Sequence, residues 1–194
     1  MIAGHFGLAV GVKAGAPRLP LSALLVSTFL LDVLFFILWP AGIESLTQVN
    51  PTKGGVIIHA YYTHSLVGAL LIAAVAGILA GRWWGQRSGM VIGMVVFSHW
   101  ALDLLVHNPD LPILPGNIGN LPLLGLGLWQ MPVVSVLLEL GLVLGGAYLY
   151  YRRTMQVSIR EGGTNSSQRR QAYTASSVTA ILLLLLLATD YLGL

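Results

Sequence analysis

The chain contains no cysteine and very little charge. Only 9% of its 194 residues are charged, whereas 56% are hydrophobic, and the mean hydropathy is +0.79. This composition is far too apolar for an ordinary water-soluble domain of this length, so it predicts an integral membrane protein in a lipid bilayer. The absence of cysteine excludes disulfides and thiolate ligands, so that nitrogen and oxygen atoms must hold any bound metal.

The few basic residues are distributed unevenly along the chain. Lys53 stands alone on one side of the predicted spans. The other nine lie in loops on the opposite side: Lys13, Arg18, Arg82, Arg87, Arg152, Arg153, Arg160, Arg169 and Arg170. The positive-inside rule therefore predicts a cytoplasmic N-terminus and a C-terminus outside. Because this basic excess sets orientation, it does not indicate a nucleic-acid partner.

Five apolar segments approach the ~20 residues that a helix needs to cross ~30 Å of hydrocarbon. They cover residues 21–39, 64–80, 88–107, 131–151 and 177–194, the second beginning at His64 or a few residues earlier. Residues 1–16 are apolar but too short to span, and a turn at 17–20 follows them. The predicted fold class is an all-α integral membrane protein with about five transmembrane helices plus an N-terminal re-entrant half-helix.

The predicted domain organisation has three parts. Residues 1–151 form the membrane domain that carries the His and Asp residues. Residues 152–176, rich in Ser, Gln, Gly and Arg, form a flexible basic cytoplasmic linker. Residues 177–194 form a C-terminal transmembrane helix, which is either loosely attached or packed against partner membrane subunits. Between the third and fourth spans, residues 109–132 form an outer lid or a plain extracytoplasmic loop.

The segment from Ser98 to His107 carries the strongest functional signal. His99, Asp103 and His107 are spaced four residues apart in an apolar run, so on an α-helix they share one face. Two imidazoles and a carboxylate are ligands for zinc, manganese or iron, whereas a helix with nothing to bind would gain from leucine at these positions.

Other ionisable residues lie at a similar predicted depth. Asp103 lies one turn beyond His99, and the remaining histidines lie nearer the outer surface. Ionisable residues inside spans are costly and usually serve a site. Four ionisable residues each lie 12 to 14 residues from an arginine at the predicted inner surface, which places them roughly 20 Å above that surface. They are His5, Asp32, His99 and Glu139. The predicted ligands of a divalent metal, zinc before manganese or iron, are His5, Asp32, His59, His64, His99, Asp103 and His107.

Glu139 and Asp32 are the predicted catalytic groups, Glu139 as a general base or as a partner of the ligands. Each also has a plainer interpretation, since either carboxylate could serve only to hydrogen-bond a neighbouring helix. His107 lies at a predicted helix end, where it could act as a cap, and His59 could be an interfacial residue. Asp110 is expected to be solvated at the outer surface.

One set of motifs resembles a known family. The segment His59-Ala60-Tyr61-Tyr62-Thr63-His64-Ser65, with His5, Asp32 and His99-x-x-x-Asp103, resembles the membrane-bound metal-dependent hydrolase family typified by a LexA-regulated bacterial inner-membrane protein. The resemblance covers about residues 1–110. It implies a metal site in a bacterial inner-membrane protein, in a family whose members are labelled hydrolases or permeases.

This sequence departs from that family at two places. The family pattern often has a second Asp near the first and an Arg after the first His of the paired segment. Here Val33 or Leu34 and Ala60 occupy those positions, which argues against a two-metal site. The ligand types are also similar to those of zinc-dependent phospholipase C and related nucleases, which use a His-x-x-x-Asp helix.

Three function classes remain open at this point. The first is a metal-dependent hydrolase of a phosphoester or lipid-like substrate, acting in the outer half of the membrane. The second is a permease in which the same residues bind a metal ion or proton in transit. The third is a non-catalytic accessory subunit of a larger membrane complex, with histidines that bind a metal, haem or pigment. The carboxylates beside the histidines favour a hard or borderline metal over haem.

Overall fold

The structure is a computed structural model that describes residues 1–48, 56–162 and 166–192. These residues are mostly helical, in agreement with the predicted all-α class. Their elements are α1 (Ile2–Gly15), α2 (Leu21–Thr28), α3 (Leu30–Leu38), β1 (Ser45–Gln48), β2 (Val56–His59), α4 (Leu66–Trp84), α5 (Gln86–Val106), α6 (Pro132–Gly162) and α7 (Ser166–Leu192).

Within the described residues, four helices are long and apolar enough to cross a membrane, namely α4, α5, α6 and α7. Helices α2 and α3 together pass the same test, but their axes differ by 50°, so the count reaches five only if this bent pair forms one span. The first predicted span, 21–39, is thus broken at Phe29. Helix α1 is too short for the test, and its re-entrant placement stays a prediction.

The second span begins later than predicted, at Leu66. Ser65 caps α4, because its hydroxyl accepts a hydrogen bond from the Gly68 amide at 3.0 Å. His64 therefore lies in the turn before the helix. At the far end of α5, His107 is the C-terminal cap, and its amide donates to the Asp103 carbonyl at 2.8 Å.

Helices α4 and α5 pack closely through glycines. A Cβ atom on Gly89 would collide with the backbone of Gly77 and Gly81, and one on Gly93 would lie 3.1 Å from the carbonyl oxygen of Ala73. Such small residues let two apolar helices approach along their length. This close pairing holds the start of α4 beside the end of α5.

A pair of short strands, which the sequence analysis did not predict, lies between α3 and α4. β1 and β2 are antiparallel, with Ser45 opposite His59 and Thr47 opposite Ile57. Lys53, which was assigned to the outer side, lies outside the described residues.

The chain forms two compact units, whose boundaries fall within α2 and α6. Unit 1 comprises Met1–Leu25 and Val136–Leu194, and unit 2 comprises Val26–Ser135. This division differs from the predicted one at residues 151 and 176. In unit 1, α7 packs with α1 and α6 around a buried apolar cluster of Ala3, Val10, Val143, Leu183 and Leu187.

The region predicted as a flexible linker is helical wherever it is described. Helix α6 continues to Gly162 and α7 begins at Ser166, so residues 152–162 and 166–176 belong to helices. Residues 163–165 lie outside the described part. Arg, Gln and Met favour helices, and no proline follows Pro132, so polar composition alone did not break these helices.

Candidate metal centre

Four side chains from three parts of unit 2 converge, and we call them the His/Asp cluster: Asp32, His64, His99 and Asp103. Oδ1 of Asp32 lies 3.4 Å from Nε2 of His64 and 3.4 Å from Nε2 of His99, and the two Nε2 atoms are also 3.4 Å apart. Oδ2 of Asp103 lies 3.0 Å from Nε2 of His99 and 3.6 Å from Nε2 of His64. Within the cluster, Asp32, His64 and His99 form a group that could hold a metal ion.

The members of the cluster differ in exposure. His64, His99 and Asp103 are buried, whereas the Asp32 side chain is 25% exposed. Asp32 lies on α3, where Val33 and Phe36 are exposed apolar neighbours. The side of the cluster occupied by Asp32 is therefore open to the surroundings.

The His99 ring is oriented by the break between α2 and α3. Its Nδ1 lies 2.7 Å from the carbonyl oxygen of Thr28, which is available to a side chain because α2 ends at that residue. A carbonyl can only accept, so Nδ1 carries the hydrogen and donates it. In the neutral ring, the lone pair then lies on Nε2, the atom that faces Asp32 and Asp103.

The His64 ring is oriented by a hydroxyl. Its Nδ1 lies 2.8 Å from Oγ1 of Thr63, and that Oγ1 lies 3.0 Å from both carboxylate oxygens of Glu44. The His64 backbone is held separately, because Trp100 Nε1 donates to its carbonyl at 2.8 Å.

His107 borders the cluster. Its Nε2 lies 3.7 Å from Oδ2 of Asp103, and its Nδ1 lies 3.0 Å from Oδ1 of Asp110. The other oxygen of Asp110 accepts from the Ile58 amide at 3.0 Å. The expectation that Asp110 is solvated was wrong, since the residue is 2% exposed. The Trp129 ring lies against His107, with 4.3 Å between ring centroids, so part of the 109–132 segment covers this side.

His59 lies on the strand pair. Its Nε2 is 3.1 Å from Oγ1 of Thr47, and its Nδ1 is 3.1 Å from the hydroxyl of Tyr61. Hydroxyl groups thus face both ring nitrogens. The structure does not bring His59 into the His/Asp cluster, although the sequence analysis included it among the ligands.

Two of the predicted site residues, His5 and Glu139, belong to unit 1. Both are buried, His5 on α1 and Glu139 on α6. One Glu139 oxygen accepts from the Gly4 amide at 3.4 Å and the other from the Tyr191 hydroxyl at 3.1 Å. The assignment of His5 as a ligand and of Glu139 as a base stays a prediction.

The sequence analysis did not identify Glu44 and Thr63 as functional residues. Thr63 directly precedes His64, which is the only local signal for its contact. Glu44 is one of seven acidic residues and follows the first predicted span, and its local sequence does not link it to His64. Its partnership with Thr63 joins residues 19 apart, and the strand pair that brings them together was not predicted.

Comparisons with known proteins found no relative of this chain. No family model matches the chain, and neither the curated proteins nor the solved structures provided a match. The functional assignment therefore rests on the geometry of unit 2 and on the motifs of the sequence.

Proposed function

We propose that the chain is a membrane-embedded metal-dependent hydrolase, with the His/Asp cluster as its metal centre. The observation that carries this proposal is the mutual spacing of the donor atoms of Asp32, His64 and His99. In a tetrahedral site with ligands about 2.0–2.2 Å from the ion, neighbouring donor atoms are about 3.3–3.6 Å apart. The three separations of 3.4 Å fit this spacing.

The chemistry of the donor set favours zinc. Imidazole nitrogens with carboxylate oxygens suit zinc, and they also suit manganese or iron in other coordination geometries. The orientation of His99 supports the same conclusion, because its Nδ1–H is donated to a backbone carbonyl while Nε2 faces the carboxylates. Histidine ligands in metal sites are commonly held in this way.

The residues of the cluster have distinct proposed roles. His64, His99 and Asp103 hold the ion from the buried side. Asp32 completes the donor set and, as the most exposed member, is placed to accept a proton from an entering water molecule. The chemistry that a divalent ion supplies when bound is to make water more acidic and to polarise a phosphoryl or carbonyl oxygen.

The proposed substrate is a phosphoester or another lipid-like molecule in the outer half of the membrane. The open side of the cluster lies on α3, where Val33 and Phe36 present apolar surface next to Asp32. An amphiphilic molecule could place its polar group at Asp32 and its apolar part against these side chains. The resemblance of the His59–Ser65 segment and the His99-x-x-x-Asp103 helix to the membrane-bound hydrolase family supports the same reaction class.

The proposed location is a bacterial inner membrane, with the N-terminus in the cytoplasm and the C-terminus outside. The distribution of basic residues supports this orientation. Helix α7 carries exposed apolar side chains, including Ile181, Leu182 and Leu185. These would face lipid or a partner membrane subunit.

The test is elemental analysis of the purified full chain in detergent, together with an absorption spectrum. The His99→Ala, Asp103→Ala double variant removes two members of the cluster, and His59→Ala removes a histidine outside it. We expect about one zinc, manganese or iron ion per chain in the unmodified protein and in His59→Ala, and none in the double variant. Loaded protein would then be screened against phosphoesters.

Two outcomes would overturn the proposal. A chain without stoichiometric metal would mean that the histidines and carboxylates form a hydrogen-bonded ion-pair network. A Soret or pigment absorption band would instead assign the chain to the accessory class of membrane subunits.

A further inference from the structure

Glu44 is a buried carboxylate close to the metal centre, to which neither the motifs nor the proposed reaction gives a role. It is 1% exposed. Burying a charged carboxylate is costly unless hydrogen bonds compensate. Oε1 of Glu44 accepts from the amides of Tyr62 and Thr63, at 2.9 and 2.8 Å, and both its oxygens lie 3.0 Å from the Thr63 hydroxyl. Glu44 therefore binds the turn that leads into His64.

The chemistry of these groups fixes the direction of each hydrogen bond. An ionised carboxylate can only accept, so the Thr63 hydroxyl donates its single proton to Glu44. Towards Nδ1 of His64, at 2.8 Å, the hydroxyl oxygen can then only accept. The hydrogen of the neutral His64 ring is consequently on Nδ1, and the lone pair is on Nε2, which faces Asp32, His99 and Asp103.

We propose that Glu44 is a positioning residue for the metal centre, acting through the Thr63 hydroxyl to hold the His64 ring in the tautomer that presents Nε2 as a metal ligand. This inference rests on the proposed function, because it requires His64 to bind the ion. The ring contact can be tested separately from folding by changing the Thr63 side chain, because Glu44 can still accept from the Tyr62 and Thr63 amides and Trp100 can still donate to the His64 carbonyl. The corresponding partner of His99 is a backbone carbonyl, which no substitution removes.

The decisive variant is Thr63→Val, which keeps the shape of the side chain but removes the hydroxyl. Nδ1–H of His64 then loses its acceptor, and the tautomer with hydrogen on Nε2 becomes competitive. We expect the affinity for Zn²⁺, measured by competition with a chromophoric chelator on the full chain in detergent, to fall about 10–100-fold. The visible spectrum of the Co²⁺-loaded chain is expected to change in position or intensity. Thr63→Ser, which restores a hydroxyl, is expected to restore both properties.

Glu44→Gln tests the other end of the hydrogen-bond relay that runs from Glu44 through the Thr63 hydroxyl to His64. The amide nitrogen of glutamine can donate to the Thr63 hydroxyl, which frees that hydroxyl to donate to Nδ1 of His64 and so reverses the relay. We expect a loss of about tenfold in Zn²⁺ affinity. The matched control is Thr47→Val, since Thr47 makes a similar hydroxyl contact to His59 outside the cluster, and it is expected to leave Zn²⁺ affinity and the Co²⁺ spectrum unchanged.

The outcomes separate this inference from the proposed function. If the unmodified chain binds no Zn²⁺ or Co²⁺, the metal centre and the relay are both wrong. If it binds zinc and Thr63→Val retains the same affinity and spectrum, the relay alone is wrong. Should Thr63→Val fail to fold, unchanged Zn²⁺ binding in Glu44→Gln overturns the role of Glu44.

Discussion

His59 and His64 are five residues apart, and they lie in two regions with different chemistry. On the strand pair, His59 is partly exposed and has a hydroxyl group at each ring nitrogen. In the His/Asp cluster, His64 is buried, with a hydroxyl at Nδ1 and carboxylates and a second imidazole around Nε2. Both histidines contact a threonine hydroxyl. The difference between them is therefore what faces the second nitrogen, and this decides which histidine is suited to bind a metal ion.

The largest expected effect is the difference in metal content between a variant that lacks His64 and one that lacks His59. His64→Ala removes a donor atom that faces Asp32, His99 and Asp103, and it is expected to abolish stoichiometric metal binding. His59→Ala removes contacts to two hydroxyls and is expected to keep about one ion per chain. Elemental analysis of both purified variants checks this. Metal loss in His59→Ala but not in His64→Ala would mean that His59, and not His64, binds the ion.

A second prediction separates binding from reaction within the cluster. Asp32→Asn keeps the shape of the most exposed member but removes its basicity. We expect hydrolysis of a phosphoester substrate by the loaded chain to fall at least about 100-fold, because proton transfer typically contributes that much or more. Metal content, measured on the same preparation, is expected to persist, because asparagine keeps an oxygen donor at this position and the three buried members are unchanged. Unchanged hydrolysis would exclude Asp32 as the proton acceptor.

The smallest effect is expected at Ser65, which follows His64 and caps α4. Ser65→Ala removes the hydrogen bond from the Gly68 amide and the one that the hydroxyl donates to the Tyr62 carbonyl, and it is expected to lower the free energy of unfolding by about 1 kcal/mol. Thermal unfolding in detergent measures this change. Metal content should remain that of the unmodified chain, since the hydrogen bonds of the Ser65 hydroxyl are to Tyr62 and Gly68 and not to a member of the cluster. A large loss of metal would show that the start of α4 positions His64 more strongly than Trp100 does.

The fold could be predicted from the sequence as far as local periodicity reaches. The apolar segments around α4, α5, α6 and α7 were recognised because length and hydropathy are properties of a single helix. The predicted helix ends were less accurate. Helix α4 begins at Leu66 because Ser65 caps it, and α6 continues to Gly162 through polar residues that favour helices. The strand pair was missed, since each strand has only four residues.

Part of the candidate site was predictable for the same reason. His99 and Asp103 lie one turn apart on α5, and their 3.0 Å contact follows from helix geometry. The depth argument also placed Asp32 near His99, and the 3.4 Å distance between Asp32 Oδ1 and His99 Nε2 agrees with it. Depth along a helix gives a height above the membrane surface, whereas it does not give the direction in which a side chain points.

The sequence by itself determined the apolar helices, the shared face of His99 and Asp103, and a donor set of nitrogen and oxygen atoms without sulfur. Only the tertiary structure decided that Asp32 and His64 join that face, and that Thr28 and the pair Glu44 and Thr63 orient the two histidine rings. The physical reason is that helical periodicity acts over a few residues. These contacts instead depend on the break between α2 and α3, the turn before α4 and the close packing of α4 on α5.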